Sequence, residues 1–320
     1  MSLSLRHALA TLVMSASVLF AAPTAANAAT AAEVDGEISV PCWIYTYKPD
    51  ADWYFPATTS PKALVYLQHG FSRANDNVAD LARRYQAAGY LVFAPTLPSA
   101  DIYGCTVNNL GNNTVFLNSV AAWIGNATSP SGALATSYAA AAAKAGRSGS
   151  TLPTSYVLAG HSAGGEAVTY IANRLRTTFP AAFANLKHLQ LLDPVKSIFG
   201  SNMATGLNGL AGTSLPILTI SSPPYLANSD ASGTVALTGT LDRDFLGVRL
   251  TTGSHCDAEG ASTNALCTLT AGTSQAANVT ALQTLAVNWA SGAGDPSYYP
   301  GGAYYQGLLS GGVIETLSGN

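Results

Sequence analysis

The sequence predicts one domain of the α/β class, in which a mostly parallel central sheet carries helices on both faces. Short apolar runs alternate along the chain with segments of helical periodicity, and this order is typical of β-α-β units. A glycine-flanked serine, Ser162, follows one apolar run and precedes a helical segment. The length of 320 residues, only 10% of them charged, is sufficient for one large buried core.

The strands are predicted from apolar runs, and their boundaries from turn residues. An early strand is expected at residues 37–48, followed by a turn-rich connection over residues 51–62. Buried strands are predicted at residues 63–68, 90–94, 155–159, 188–192, 215–220 and 246–251. The strand at residues 246–251 is expected to be the last strand of the sheet.

The helices are predicted mainly from apolar side chains that are spaced three or four residues apart. They are expected at residues 77–88, 116–124, 138–145, 166–178 and 276–289. The tail from residue 291 is rich in glycine and tyrosine. Its tyrosines are expected to cover the core rather than to bind a ligand: Tyr298, Tyr299, Tyr304 and Tyr305.

The first 28 residues have the pattern of a secretory signal peptide. Arg6 and His7 provide a short positive start, residues 8–22 are apolar, and small residues at 26–28 form a cleavage site. The apolar run is short for a membrane span and ends at Pro23. We therefore expect cleavage near Ala28, a secreted or periplasmic domain over residues 29–320, and no stable membrane span.

Cysteine content and charge narrow the possible functions. Four cysteines in an exported chain predict two disulfides, and of the three possible pairings the favoured one joins Cys256 to Cys267 and Cys42 to Cys105. The net charge of −3 argues against a nucleic-acid partner, which would require a basic stripe. Because the chain has no phosphate loop, dinucleotide fingerprint or ligand-spaced His/Cys/Asp cluster, we expect neither a cofactor nor a metal.

Ser162 lies at the centre of Gly160-His161-Ser162-Ala163-Gly164, between a predicted strand and a predicted helix. The flanking glycines have no Cβ, so the chain can reverse sharply and leave the serine hydroxyl exposed. A G-x-S-x-G turn in this context is the nucleophile elbow of α/β-hydrolases. A serine hydroxyl needs a base to remove its proton and an acid to orient that base.

The histidines that remain after signal removal differ in where the predicted sheet places them. His255 follows the last predicted strand, at the carboxyl edge where ligands bind, so it is the candidate base. His161 is expected to point away from the site because it neighbours the serine. His69 is expected on the loop that shapes the oxyanion site, and His188 at the opposite end of the sheet.

Two carboxylates are candidates for the acid of the triad. Asp193 ends the strand after the serine helix, and it is favoured by its position at the carboxyl edge. Asp230, after the next strand, stays open as the alternative. The amides of Ala163 and Phe71 are the candidate donors of the oxyanion hole, since one N–H follows the nucleophile and the other comes from the first loop after His69-Gly70.

Several of these segments resemble one branch of the α/β-hydrolase superfamily. His69-Gly70-Phe71 and residues 89–95 are similar to the H-G and G-Y-x-V-x-A-P segments of chlorophyllases, platelet-activating-factor acetylhydrolases and related bacterial lipases and polyesterases. Residues 160–165 resemble their G-H-S-x-G-G turn, and residues 192–195 the D-P-V in which chlorophyllases place the acid. Gly253-Ser254-His255 looks like their terminal histidine turn.

The resemblance covers residues 63–101, 155–195 and 246–257, and it implies that Asp193 is the acid. Chlorophyllases usually have Arg at the position of Ala163, so a chlorophyll-specific function is disfavoured. The cysteine next to His255 is more like secreted bacterial esterases.

Together these features predict an α/β-hydrolase catalytic domain that is a secreted serine carboxylic-ester hydrolase. It would act on an ester of apolar character through an acyl-enzyme. Two alternatives stay open: an acyltransferase or peptidase with the same triad, and a non-catalytic secreted binding protein on the same fold. Neither the natural substrate nor the oligomeric state follows from the sequence.

Overall fold

The computed structural model describes residues 29–292 and 294–320. The predicted signal peptide, residues 1–28, lies outside the described residues. The strands are β1 Ala32–Val34, β2 Val40–Cys42, β3 Tyr45–Tyr47, β4 Ala51–Phe55, β5 Leu64–Gln68, β6 Leu91–Pro95, β7 Tyr156–His161, β8 Leu186–Leu192, β9 Ile217–Ser221, β10 Gly247–Leu250 and β11 Ile314–Leu317. The helices are α1 Ala79–Ala87, α2 Thr114–Gly125, α3 Ala133–Lys144, α4 Ala163–Thr178, α5 Pro180–Ala184, α6 Asn202–Leu210, α7 Ser232–Thr240, α8 Ala265–Ala271, α9 Ala276–Trp289 and α10 Ala303–Ser310.

The main sheet of the described chain has nine strands in the order β1-β4-β6-β5-β7-β8-β9-β10-β11. The six strands from β6 to β10 in this order are parallel, whereas β1, β4 and β11 are joined by antiparallel pairing. The order reverses at β5, whose neighbours are β6 and β7, so a crevice lies beyond the carboxyl ends of β5 and β7. With the glycine-flanked serine turn between β7 and α4, this is the α/β-hydrolase fold that the sequence predicts.

Alternation along the buried strands supplies a core on each face of the sheet. In β7, Tyr156 and Leu158 belong to the core that α2, α3, α4 and α6 cover. Val157 and Ala159 belong to the core on the other side, under α1 and α9. The tail covers this second core as predicted: Tyr305 is buried, and Tyr298, Tyr299 and Tyr304 pack against it.

Three sequence-based predictions about the strands are wrong. Residues 51–62 are expected to be a connection, but the first five of them, Ala51–Phe55, form a strand that pairs with β6 in the main sheet. Residues 37–48 form not one strand but the small β2-β3 hairpin, which lies outside the main sheet. β10 is not the last strand, since Ile314–Leu317 returns to pair with it at the edge.

Two disulfides join loops at the carboxyl side of the sheet, in the pairing that the sequence favours. Cys42–Cys105 links the β2-β3 hairpin to the loop after β6, and Cys256–Cys267 links the loop after β10 to α8. Disulfides of this kind are typical of extracellular or periplasmic proteins. Across residues 29–292 and 294–320, every helix is too short or too polar to cross a membrane.

Candidate active site

The turn at Ser162 is a sharp reversal that only small neighbours permit. Ser162 has φ 56° and ψ −125°, a conformation that is strained for a residue with a side chain. A Cβ on Gly160 would lie 2.3 Å from the carbonyl oxygen of Gly164, and a Cβ on Gly164 would lie 2.5 Å from that of His69. The two glycines therefore let α4 begin directly behind the serine, against the loop that follows β5.

The loop after β5 lies against the serine. A Cβ on Gly70 would come within 2.7 Å of the Ser162 Cβ, so the backbone of this loop passes the serine at close range. His69 holds the loop: its Nδ1–H donates to the Gly70 carbonyl at 2.7 Å, and its Nε2 accepts from the Leu97 amide at 3.0 Å. Burial lowers the pKa of His69 to about 4, which keeps the ring in the neutral form that this pattern requires.

Two amides of this region have no hydrogen-bond acceptor within the described chain. The Ala163 amide belongs to the first turn of α4, where helical N–H groups have no intrahelical partner. The Phe71 amide follows Gly70, and neither N–H donates to another group of the described chain. Phe71 is 55% exposed and borders the cavity in front of Ser162.

His255 and Asp193 meet at the carboxyl edge of the sheet. The Nδ1 atom of His255 lies 2.6 Å from Oδ2 of Asp193, and both residues are buried. Asp230, the alternative acid, is exposed, and the ion pair and side-chain hydrogen bond of the His255 ring go to Asp193 instead. Ser162 and His255 line the same cavity, and no hydrogen bond joins the serine Oγ to the ring.

The loop after β9 surrounds Asp193 with donors. The Ser222 amide donates to Oδ1 at 2.8 Å, the Ser221 hydroxyl donates to the same atom at 3.2 Å, and the Asn228 amide nitrogen lies 3.4 Å from both carboxylate oxygens. Burial alone would raise the pKa of Asp193, but the His255 ring and the Ser222 amide outweigh it. The pKa is therefore lowered and the carboxylate stays ionised.

His161 lies beside the candidate base, whereas the sequence-based expectation directed it elsewhere. Its ring centroid is 4.6 Å from that of His255, and its Nε2–H donates to the His255 carbonyl at 2.8 Å. Burial and the proximity of His255 lower the pKa of His161 to about 3, so the ring is neutral. On the other side of the base, the Tyr225 hydroxyl accepts a hydrogen bond from the His255 amide.

A cavity of about 730 Å³ opens in front of Ser162. Arg73 and Glu259 are among its lining residues. The Nε of Arg73 donates to Oε1 of Glu259 at 2.6 Å, and this buried bidentate ion pair joins the loop after β5 to the loop of His255. Six apolar residues that line the cavity are about half to nearly fully exposed: Phe71, Leu110, Ile198, Phe199, Leu226 and Leu266.

Among the described residues, one group of potential metal ligands comes together: Cys42, Asp101 and Cys105. The two cysteines form a disulfide, so they offer no thiolate to an ion.

Two further residues that the sequence singles out differ in their distance from the cavity. His188, near the start of β8, lies away from the cavity as predicted. Cys267 borders the cavity and forms the disulfide with Cys256.

No protein-family model and no curated protein matches the sequence. Among solved structures, an esterase domain from a Rhodothermus marinus protein is 16% identical with a TM-score of 0.42, and the match covers 72% of this chain and 94% of that domain. Dienelactone hydrolase from Anabaena variabilis is 14% identical with a TM-score of 0.49, over 80% of this chain and 96% of that one. At such low identity, the interpretation of the site depends on its own geometry.

Proposed function

We propose that the chain is a secreted carboxylic-ester hydrolase with Ser162 as nucleophile, His255 as general base and Asp193 as the acid that orients the base. The observation that carries the proposal is the 2.6 Å contact between His255 Nδ1 and Asp193 Oδ2, beside a strained serine turn that borders the same cavity. Acyl transfer requires a nucleophile, a base and a carboxylate that orients the base. Here they follow the chain order of α/β-hydrolases: Ser162, Asp193 and His255.

Acylation begins when the ester carbonyl enters the cavity in front of Ser162. His255 Nε2 removes the hydroxyl proton as Oγ attacks the carbonyl carbon, and Asp193 stabilises the imidazolium that forms. The negative charge that develops on the carbonyl oxygen is stabilised by the amides of Phe71 and Ala163. The intermediate then collapses, the C–O bond of the ester breaks, and His255 gives its proton to the departing alcohol.

Deacylation uses the same groups with water as the nucleophile. His255 removes a proton from the water as it attacks the acyl carbon, and the same two amides stabilise the second oxyanion. Collapse of this intermediate returns the proton to Ser162 Oγ and releases the carboxylic acid. The ionised state of Asp193, whose pKa is lowered, supports its role in holding the base through both steps.

The cavity favours an ester with an apolar acyl or alcohol part. Most of its exposed lining is aliphatic or aromatic, and Leu226 and Ile198 are 93% and 88% exposed, so they are available to contact substrate. Two disulfides at the carboxyl side of the sheet support function outside the reducing cytoplasm.

The test is hydrolysis of p-nitrophenyl esters of increasing chain length by the purified protein and by two matched Asp→Asn variants. Asp193→Asn is expected to lower kcat by a factor on the order of 10⁴, because Asn favours the wrong imidazole tautomer and cannot stabilise the cation. Asp230→Asn, at an exposed position, is expected to leave kcat unchanged.

The opposite pattern between the two variants would assign the acid to Asp230. Acyl transfer to an added alcohol, or amide cleavage, that outpaces ester hydrolysis would identify an acyltransferase or a peptidase with the same triad. A folded protein that hydrolyses no ester and reacts with no fluorophosphonate would be a binding protein on this fold.

A further inference from the structure

The peptide groups on the two sides of His255 are each held by a side chain from another part of the fold. Its amide N–H donates to the hydroxyl of Tyr225, and its carbonyl oxygen accepts from Nε2–H of His161 at 2.8 Å. Neither contact involves the imidazole, whose Nδ1 is already bonded to Asp193. The main chain of the candidate base is therefore fixed independently of its ring.

Both supporting side chains are themselves anchored. The Tyr225 hydroxyl lies 3.5 Å from the Ala271 carbonyl, and the Tyr225 amide donates at 3.0 Å to Asn228, whose side-chain nitrogen faces Asp193. His161 is the last residue of β7, it is 1% exposed, and its ring lies against that of His255. Support for the base thus comes from the same loop as support for the acid, and from the strand that carries the serine.

We propose that Tyr225 and His161 are positioning residues, which clamp the main chain of His255 and so set the place of its Nε2 relative to Ser162 Oγ. The proposal rests on the proposed function of this site. The rate of proton transfer depends steeply on the distance between the reacting groups, and a displacement of about 1 Å costs about 100-fold in rate. The Asp193 contact fixes the orientation of the ring, whereas the contacts of Tyr225 and His161 fix the main chain that carries the ring.

The neutral state of His161 suits this role. A neutral ring with its proton on Nε2 can donate to the His255 carbonyl, and it adds no positive charge next to the imidazolium that forms during acylation. Its Nδ1 is buried without a hydrogen-bond partner, which is consistent with a ring that is retained for its Nε2 donor.

The experiment compares steady-state kinetics of Tyr225→Phe and His161→Phe with the unaltered protein on one p-nitrophenyl ester. Each variant keeps an aromatic ring and removes one polar contact with His255. We expect kcat to fall about 10- to 100-fold, with KM changed less than about threefold, because the contact positions a reacting group and not the substrate. His161→Gln, which keeps a donor, is expected to recover part of the loss.

Tyr138→Phe is the matched control. Its hydroxyl bonds to Ser150 and to the Thr151 carbonyl on the far side of the sheet from α9, so it loses a comparable tyrosine contact at a site remote from the cavity. Its kcat is expected to equal that of the unaltered protein. Proton NMR provides the second readout: the far-downfield resonance of the proton between His255 and Asp193 should broaden or shift in the two clamp variants only.

The proposal is overturned if folded Tyr225→Phe and His161→Phe both keep the kcat and the downfield resonance of the unaltered protein. It is also overturned if Tyr138→Phe loses as much kcat as they do, because the effect would then be a general loss of stability. Failure of the underlying function looks different, since the unaltered protein itself would neither hydrolyse the ester nor react with a fluorophosphonate.

Discussion

His188 is expected to make the fold sensitive to acid. It lies in β8, is 0% exposed, and neither ring nitrogen has a partner in normal hydrogen-bond geometry. Burial lowers its pKa from 6.5 to about 4. A contact with the Leu189 backbone acts in the opposite direction and raises the pKa by less. The perturbation that tests this is a decrease in pH from 7 to 4, applied to the unaltered protein and to His188→Leu, which has a similar volume.

The sign and size follow from proton linkage. Between pH 6.5 and about 4 the unfolded chain binds a proton at this histidine that the folded chain does not bind, so the free energy of unfolding falls as the pH falls. At about 1.4 kcal/mol per pH unit, the loss from His188 alone approaches about 3 kcal/mol by pH 4. At pH 7 the Leu variant should be as stable as the unaltered protein or more so, because it removes a buried polar group that has no partner.

The assay is urea denaturation of both proteins at several pH values across this range. The two proteins have all other titrating groups in common. These include Asp52 and Asp257, whose pKa values are raised to about 6 mainly by burial, so that their contribution to the free energy of unfolding rises as the pH falls. The difference between the two curves therefore isolates His188, and it should grow as the pH falls. Parallel curves would refute the reasoning, since they would mean that the folded protein accommodates a proton at this position without cost.

Two further changes test the site directly. Gly70→Ala places a methyl group 2.7 Å from the Ser162 Cβ, so kcat should fall by at least about 100-fold, whereas Gly307→Ala, with open space around it, should leave kcat unchanged. Cys256→Ser/Cys267→Ser opens a loop that spans a sequence separation of 11, so it should cost at most about 3 kcal/mol of stability yet lower kcat through the freed base loop. Unchanged kcat in this double variant, measured beside the same change in the other disulfide, would limit the bridge to a role in stability.

The central part of the fold could be predicted because its strands are buried on both faces. A parallel strand of this kind is a continuous apolar run, as in residues 64–67 and 156–159, and such a run can be recognised without knowing which strands it pairs with. The carboxyl ends of parallel strands meet at one edge of a sheet. Residues that follow the strands, such as Asp193 and His255, could therefore be placed together from their order alone.

The edges and the supporting contacts could not be predicted in the same way. β4 carries Asp52 between apolar residues and pairs antiparallel, and β11 presents Glu315 to solvent, so neither is a continuous apolar run. The contacts of His161 and Tyr225 with His255 span 94 and 30 residues of chain. They depend on how the turn at Ser162 and the loop after β9 are folded, which local sequence patterns do not specify.

The most direct test of the account is mass spectrometry of the folded protein after reaction with a fluorophosphonate. The account predicts one covalent adduct, on the peptide that contains Ser162, and none on Ser162→Ala, which removes only the attacking oxygen. Loss of ester hydrolysis in the same variant should be by a factor on the order of 10⁴ to 10⁶. An adduct at another residue, or a Ser162→Ala variant that keeps a tenth of the turnover, would contradict the assignment of Ser162 as nucleophile.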